Sequence, residues 1–275
     1  MPQPPGLEVT PQTSAPRRWA DLRVRIVSAA ILAPVAFGCA WFGGVAWVVL
    51  ICAAGGAVAT EWVALFGGRA WSWVGFAAPG SVVAACIGTA RSDLVTAAAV
   101  LLMGCVACWR ASVAAGVLYA GLASVALIWL RDDPVAGRAN VMLLIVAVVA
   151  SDIGAYAVGR LVGGPRLAPL ISPGKTWSGA VGGLLGAALA GAGVAAAFGS
   201  SSFVAAGALA VFLGAVAQGG DLFESWVKRR SGVKDSGWLI PGHGGVMDRL
   251  DGFLAAGPVA AAVAAWVGRG TMLWQ

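Results

Sequence analysis

The stretch from Ser225 to Gly252, SWVKRRSGVKDSGWLIPGHGGVMDRLDG, contains nine Lys, Arg, His and Asp residues among its 28 positions. Glycines are interleaved with these charges, and Pro241 precedes the segment GHGG. Glycines let a backbone approach a ligand closely and turn its N–H groups toward an anion, while a proline stiffens the chain. Lys and Arg beside such a loop suit phosphate recognition and charge stabilisation in phosphoryl or nucleotidyl transfer. The stretch therefore predicts a site that handles phosphate groups.

Polar residues with helical spacing precede this stretch and extend into it. If the helix that contains them continues through Lys228, then Asp221, Glu224, Ser225 and Lys228 share one face, because they are three, four and seven residues apart. We therefore expect a polar helix face directed at the predicted site.

A second carboxylate pair, Asp248 and Asp251, has the same spacing where the last apolar helix should begin. Carboxylates from two helix ends form a hard oxygen site suited to Mg²⁺, which binds one or two protein carboxylates and keeps positions for substrate phosphates. His and Cys ligands of the zinc type are lacking. The residue types thus favour magnesium over zinc.

Asp152 directly follows the apolar run VMLLIVAVVAS, and its own run contains no counter-charge. An ionisable group at such a position costs free energy unless it faces a polar cavity or a partner. Two interpretations remain open: Asp152 belongs to the functional site, or it forms a structural pair with an arginine such as Arg160.

The elements that must position these residues are apolar helices. The chain has 275 residues, of which 59% are hydrophobic and only 11% charged, a composition typical of polytopic membrane proteins. Only helices and closed barrels satisfy backbone polar groups inside lipid, and strand-like alternation is absent. We predict an all-α, polytopic integral membrane helix bundle with about nine transmembrane helices and the active site at the cytoplasmic face. The predicted spans are roughly 26–41, 44–66, 70–90, 94–109, 111–130, 141–158, 179–198, 203–220 and 252–267.

Charge distribution predicts how these spans are oriented. An N-terminus on the inside places fourteen of the eighteen Lys and Arg residues on one side, as the positive-inside rule requires of the cytoplasmic side. Two polar loops, about 159–178 and 221–251, then face the cytoplasm. Their Lys and Arg residues also admit a simpler interpretation, attraction to anionic lipid, but this does not explain the interleaved carboxylates.

Residues 1–19 contain five prolines before Arg17 and are predicted to form a disordered tail, so that the membrane domain covers 20–275. The five cysteines lie in or beside apolar runs and are interpreted as inert packing residues. A CxxC pair, Cys105 and Cys108, has no second pair or nearby histidine that would indicate a metal. Glycines such as those in GGLLG, from Gly182 to Gly186, are expected to let helices approach closely.

The charged stretch resembles the signature of the phosphatidate cytidylyltransferases, also called CDP-diacylglycerol synthases. The matching residues are Ser225, VKR at 227–229, KD at 234–235, Gly237, IPGHGG at 240–245 and DRLD at 248–251. A second block, Ser151 to Gly183, is similar to the other cytoplasmic region of that family, so the signature regions are 151–183 and 219–252. Gly174 and Ser178 depart from the family's frequent SPKKTWEG, and no catalytic role is expected for either.

The resemblance implies the reaction of CTP with phosphatidate to give CDP-diacylglycerol and pyrophosphate in phospholipid biosynthesis, with Mg²⁺ as cofactor. It implies metal binding by Asp221 and Asp248, with Lys228 and Asp251 beside them as catalytic residues. The residues that it implies for substrate binding are Asp152, Ser172, Lys175, Thr176, Ser225, Arg229, Lys234, Asp235, His243, Gly244, Gly245 and Arg249.

Other functions remain open at the level of sequence. One is a CTP-dependent transferase that acts on another lipid alcohol or phosphate. A different class is a membrane transporter, which would place ionisable residues deep within several spans and produce inverted repeats. Neither feature is clear in this sequence.

The expected partners are CTP, phosphatidate and membrane lipid, without nucleic acid, and formation of a homodimer is left open. The expected location is the inner membrane of a bacterium.

Overall fold

The computed structural model describes residues 15–68, 71–237 and 244–275. Over these ranges the chain forms nine α-helices and one two-stranded hairpin. The helices are α1 (Ala15–Phe42), α2 (Gly44–Leu65), α3 (Trp73–Ala90), α4 (Leu94–Cys108), α5 (Ala111–Arg131), α6 (Gly137–Val162), α7 (Trp177–Ala197), α8 (Phe203–Arg230) and α9 (Met247–Val267). Each predicted span corresponds to one of these helices, so the all-α bundle is confirmed.

Seven of the described helices, α2, α3 and α5 to α9, are long and apolar enough to cross a membrane. The other two contain shorter apolar segments, Ala30–Phe42 and Leu94–Cys108. Many large apolar side chains point outward, as expected where lipid rather than water surrounds the bundle. We describe the chain as an integral membrane protein.

Several boundaries differ from the predicted ones because helices continue beyond their apolar runs. Helix α8 runs to Arg230, and α9 starts at Met247, so both helices extend into the predicted polar loop 221–251. Helix α1 begins at Ala15, within the predicted tail, whose first fourteen residues lie outside the described ranges. A polar helix end remains helical where its side chains face protein partners, a feature that hydropathy does not detect.

The first polar loop contains a hairpin that the sequence did not predict. Strand β1 (Arg166–Ala168) pairs in antiparallel fashion with β2 (Ser172–Thr176), with Arg166 opposite Thr176. Thr176 then caps α7, since its Oγ1 accepts the N–H of Gly179 at 3.1 Å. The hairpin carries Lys175 into the end of the bundle where α8 becomes charged.

Helix α7 packs between α6 and α8, and glycines allow this close packing. A Cβ at Gly154 would lie 2.6 Å from the carbonyl oxygen of Gly182, and one at Gly186 would lie 2.7 Å from that of Ala150. Such distances leave no room for a side chain, so the predicted role of the GGLLG glycines is confirmed. Dense α6–α7–α8 packing fixes the helices that carry Asp152 and Asp221.

The opposite end of the bundle contains a separate polar cluster. Asp133 accepts the N–H groups of Val135 and Ala136 at 2.9 Å and that of Gly270 at 2.6 Å, which fastens the C-terminal segment to the α5–α6 loop. Burial alone would raise the pKa of Asp133, but these hydrogen bonds and Arg269 lower it below its ordinary value. The bundle therefore has a polar cluster at each end, while its orientation in the membrane stays a prediction.

Candidate active site

The polar face of α8 forms as the helical spacing predicted. Ser225 Oγ donates to Asp221 Oδ1 at 3.4 Å, and Lys228 Nζ donates to Glu224 Oε1 at 3.0 Å. Each pair is one turn apart, so the four polar side chains lie along one side of the helix. Glu224 is fully buried, and this face therefore points into the protein.

The two sequence blocks meet through an ion pair. Lys175 Nζ, on strand β2, contacts Asp221 Oδ2, on α8, and both side chains are partly exposed. Lys175 and Asp221 are 46 residues apart in sequence, so this contact depends on how α7 folds back between the hairpin and α8. A partly exposed Lys beside a carboxylate is well placed to meet an incoming phosphate.

A second lysine joins α8 to α9. Lys228 Nζ lies 2.5 Å from Asp248 Oδ1 while it also bonds Glu224. The Oε2 atom of Glu224 has no hydrogen-bond partner within the described part of the chain. One ammonium thus joins acidic side chains of two helices, α8 and α9.

Asp248 also organises the loop before α9. Its Oδ2 accepts the backbone N–H of Ser236 at 3.0 Å and that of Gly245 at 3.1 Å. Gly244 has a positive φ of 84° and Gly245 is buried, which explains why glycines occupy these two positions. Asp248 therefore has a structural role that the sequence did not reveal, besides any role in chemistry.

Three acids from different helices interact electrostatically with Lys175, and one of them, Asp221, contacts it directly. Asp152 on α6 interacts electrostatically with Asp221 and Lys175, and Asp251 on α9 interacts with Asp221, Asp152 and Lys175. Arg160 instead bonds the hydroxyl of Tyr156 at 3.2 Å. Of the two interpretations of Asp152, the structure supports membership of the site rather than a pair with Arg160.

The remaining predicted residues lie around this centre with different surroundings. Arg229 is exposed, and its Nε donates to the carbonyl of Ile171 at 3.5 Å. Ser172 begins β2, Lys234 and Asp235 are exposed in the loop after α8, and Arg249 is exposed on α9. Thr176 is buried as the cap of α7. His243 lies outside the described residues.

Comparison with known proteins identifies the family. A family model described as "Cytidylyltransferase family" matches residues 23–267. A phosphatidate cytidylyltransferase of Brucella suis is 39% identical over 244 residues, which cover 86% of this chain and 90% of the relative. The chain belongs to the cytidylyltransferase family. A phosphatidate cytidylyltransferase of Brucella abortus is also 39% identical over the same shares of both chains. Another, of Mycobacterium leprae, is 44% identical over 149 residues, which cover 52% of this chain.

Sequence reasoning missed Glu61 on α2, which bonds the segment that leads into Asp248. Its side chain is buried and accepts hydrogen bonds from Ser236 Oγ at 3.2 Å and from the N–H groups of Val246 and Met247, both at 2.8 Å. The available signal was the one used for Asp152: a carboxylate inside an apolar run, here AVATEWVAL, requires a partner.

The donor set fits a hard divalent cation. Asp152, Asp221 and Asp251 bring three carboxylates to the single ammonium of Lys175, a surplus of negative charge with oxygen donors only. Over the described ranges no three His, Cys, Asp or Glu side chains form a ready metal cage. Magnesium rarely uses such cages and is held by one or two carboxylates together with substrate phosphates, so the two observations are compatible.

Proposed function

We propose that this chain transfers the cytidylyl group of CTP to phosphatidate, giving CDP-diacylglycerol and pyrophosphate. The observation that carries the proposal is the 39% identity to relatives named phosphatidate cytidylyltransferase over 90% of their length. The site geometry supports it, because two lysines and a carboxylate cluster lie at the end of a membrane bundle, where a soluble nucleotide and a lipid headgroup can meet.

In this reaction a phosphate oxygen of phosphatidate attacks the α-phosphorus of CTP. The new P–O bond forms as the bond to the bridging oxygen of the β-phosphate breaks, and the electron pair leaves with pyrophosphate. Because the nucleophile is already an anion, no covalent enzyme intermediate is required. The protein must neutralise repulsion between the phosphates and align them.

Lys175 and Lys228 are the side chains best placed for that task. Each is paired with a carboxylate, Asp221 or Asp248, and retains further ammonium donors for phosphate oxygens. Arg229 is exposed beside the hairpin, where it extends the positive surface. These side chains would hold the triphosphate and the lipid phosphate close together despite their charge.

Asp221 would hold Mg²⁺ beside Asp152 and Asp251, and Asp248, which is bonded to Lys228 and to two backbone N–H groups in the unbound protein, would join it after a change of partners. The ion would supply charge neutralisation on the triphosphate and leaving group. Ser225 would keep Asp221 oriented through its hydrogen bond. We further propose that the site end of the bundle faces the cytoplasm of a bacterial inner membrane, since most of the Lys and Arg residues lie at that end.

The test is an assay of pyrophosphate release by purified protein in detergent. We expect release only when CTP, phosphatidate and Mg²⁺ are all present, and CDP-diacylglycerol as the lipid product. Diacylglycerol should not replace phosphatidate, because it lacks the anionic oxygen that attacks. Equal turnover with diacylglycerol or with a polyprenyl phosphate would reassign the acceptor, and no turnover with CTP would reject the proposal.

A further inference from the structure

Glu61 is a buried carboxylate that lies outside both signature regions. It is 4% exposed and belongs to α2, yet all its hydrogen bonds described above go to the segment that ends at Met247. Its partners are 175 to 186 residues away in sequence. A buried charge of this kind is retained at a cost unless its environment supplies several donors, as this one does.

The bonds made by Glu61 satisfy the start of α9. The first N–H groups of a helix have no partner inside the helix, and the N-cap residue Val246 supplies no side-chain cap. Glu61 accepts two of these N–H groups, and its negative charge lies at the positive end of the helix dipole. A carboxylate from α2 thus replaces the local cap that the sequence of α9 lacks.

The loop before α9 is shaped around the same carboxylate. A Cβ at Gly237 would lie 2.7 Å from Glu61 Oε1, and one at Gly245 would lie 2.7 Å from Oε2. Both positions are glycine, so the backbone on each side of residues 238–243 contacts Glu61 directly. Asp248 Oδ2 bonds the N–H groups of Ser236 and Gly245. Glu61 and Asp248 therefore both bond the two segments, 236–237 and 245–247, that flank residues 238–243.

We propose that Glu61 is a positioning residue for the transfer reaction: it fixes the N-terminus of α9 and thereby the placement of Asp248 against Lys228. This inference rests on the proposed function. Asp248 follows Met247 directly, so a shift of the helix start would move its carboxylate away from Lys228 and the phosphate site. A displacement of about 1 Å in a site can lower the rate by about a hundredfold.

The test compares Glu61→Gln with a matched control, Asp133→Asn. Both residues are buried carboxylates that accept backbone N–H groups near a helix start, but Asp133 lies at the opposite end of the bundle. In Glu61→Gln the new amide N–H₂ must face N–H or O–H donors, so at least one bond is lost. A role limited to stability predicts the same behaviour for both variants, namely less folded protein and unchanged kcat per folded molecule.

Two readouts are measured on monodisperse protein in detergent: kcat and KM for CTP and phosphatidate, and the rate of trypsin cleavage after Lys234. Lys234 is exposed in the loop that Glu61 holds. For Glu61→Gln we expect kcat to fall by about 10- to 100-fold, the range typical of groups that orient metal ligands, and cleavage to accelerate. For Asp133→Asn we expect kcat and cleavage after Lys234 to equal those of the wild type.

If Glu61→Gln is not recovered folded, Ser236→Ala removes one donor to Glu61 while it leaves the carboxylate in place. It should show the same two changes to a smaller degree. Wild-type kcat together with wild-type cleavage, in whichever of the two variants folds, overturns the inference. Inactive wild-type protein would reject the proposed function, whereas the cleavage readout requires no substrate and still shows whether Glu61 fixes the loop and the start of α9.

Discussion

At the scale of residues, the site contains more acidic side chains than lysines to pair with them. Lys175 is paired with Asp221, and Lys228 is shared between Glu224 and Asp248. Buried or half-buried charges in excess indicate that a further positive group, or a change of partners on binding, completes the arrangement. The same side chains that stabilise the unbound protein would thus be available to phosphates and Mg²⁺.

The residue-scale prediction concerns Asp221→Asn and Asp248→Asn. Each should lower kcat by about a hundredfold to several thousandfold, equivalent to about 3–5 kcal/mol, because an amide keeps the size but loses the charge that would hold the metal. Turnover at saturating CTP across a Mg²⁺ titration measures this effect. Near-normal turnover with unchanged Mg²⁺ dependence in one variant would remove that carboxylate from the metal site.

The two variants should differ in one respect. Asp248 holds the N–H groups of Ser236 and Gly245, whereas Asp221 has no such backbone partners within the described residues. We therefore expect faster trypsin cleavage after Lys234 in Asp248→Asn only. The matched control is Asp93→Asn, at the opposite end, where the side chain caps α4 by accepting the N–H of Thr96 at 2.9 Å. Asparagine caps a helix as well as aspartate does, so this variant should retain full activity.

At the scale of elements, close packing of α6, α7 and α8 brings the acidic residues together. The packing depends on glycines whose missing side chains let backbones touch, since inside lipid such van der Waals contact replaces the hydrophobic effect between helices. The hairpin between α6 and α7 then folds over the charged end and carries Lys175 to Asp221.

The element-scale prediction compares two glycines of the same helix, α7. In Gly186→Ala the Cβ would lie 2.7 Å from the backbone oxygen of Ala150, so α6 and α7 must separate. We expect this variant to lose about 1–3 kcal/mol of stability, the usual cost of overpacking. In Gly193→Ala the Cβ meets nothing within 4 Å, and stability should rise by up to about 1 kcal/mol from helix propensity. Thermal unfolding in detergent measures both, and equal midpoints would contradict the packing argument.

At the scale of the whole molecule, helices of alternating direction produce two chemically different ends. One end holds the acids and lysines of the site, and the other holds the cluster of Asp133, Arg269 and the C-terminal segment. Which end faces the cytoplasm stays a prediction from the distribution of Lys and Arg.

Impermeant thiol labelling of intact cells measures the orientation. In a variant with all five cysteines changed to alanine, single cysteines are placed at exposed positions Pro173 and Lys234 at the site end and at Ser201 at the other end. We expect Ser201→Cys to label from outside, and the other two to label only after permeabilisation. The reverse pattern would place the site outside the cytoplasm, where CTP is not supplied.

Sequence alone determined the number of helices, the polar face of α8 and the cluster of charge, because hydropathy and helical spacing are local properties. The residues Asp221, Ser225 and Lys228 were found from spacing, and the wider set from resemblance to a family. The hairpin and the extra turns of α6 were missed, and the extension of α8 through Lys228 entered only as a condition, since polar helix ends are stabilised by distant partners rather than by their own sequence.

Tertiary structure decided which charges meet. The pairs of Lys175 with Asp221 and of Lys228 with Asp248, and the bonds of Glu61 to the start of α9, join positions 20 to 186 residues apart. No periodicity encodes such contacts, because they depend on the packing of α2, α7 and α9 against α8 and its loop. Glu61 illustrates the limit: its sequence showed that a buried carboxylate needs a partner, but only the packed helices determined that the partner is the helix start beside Asp248.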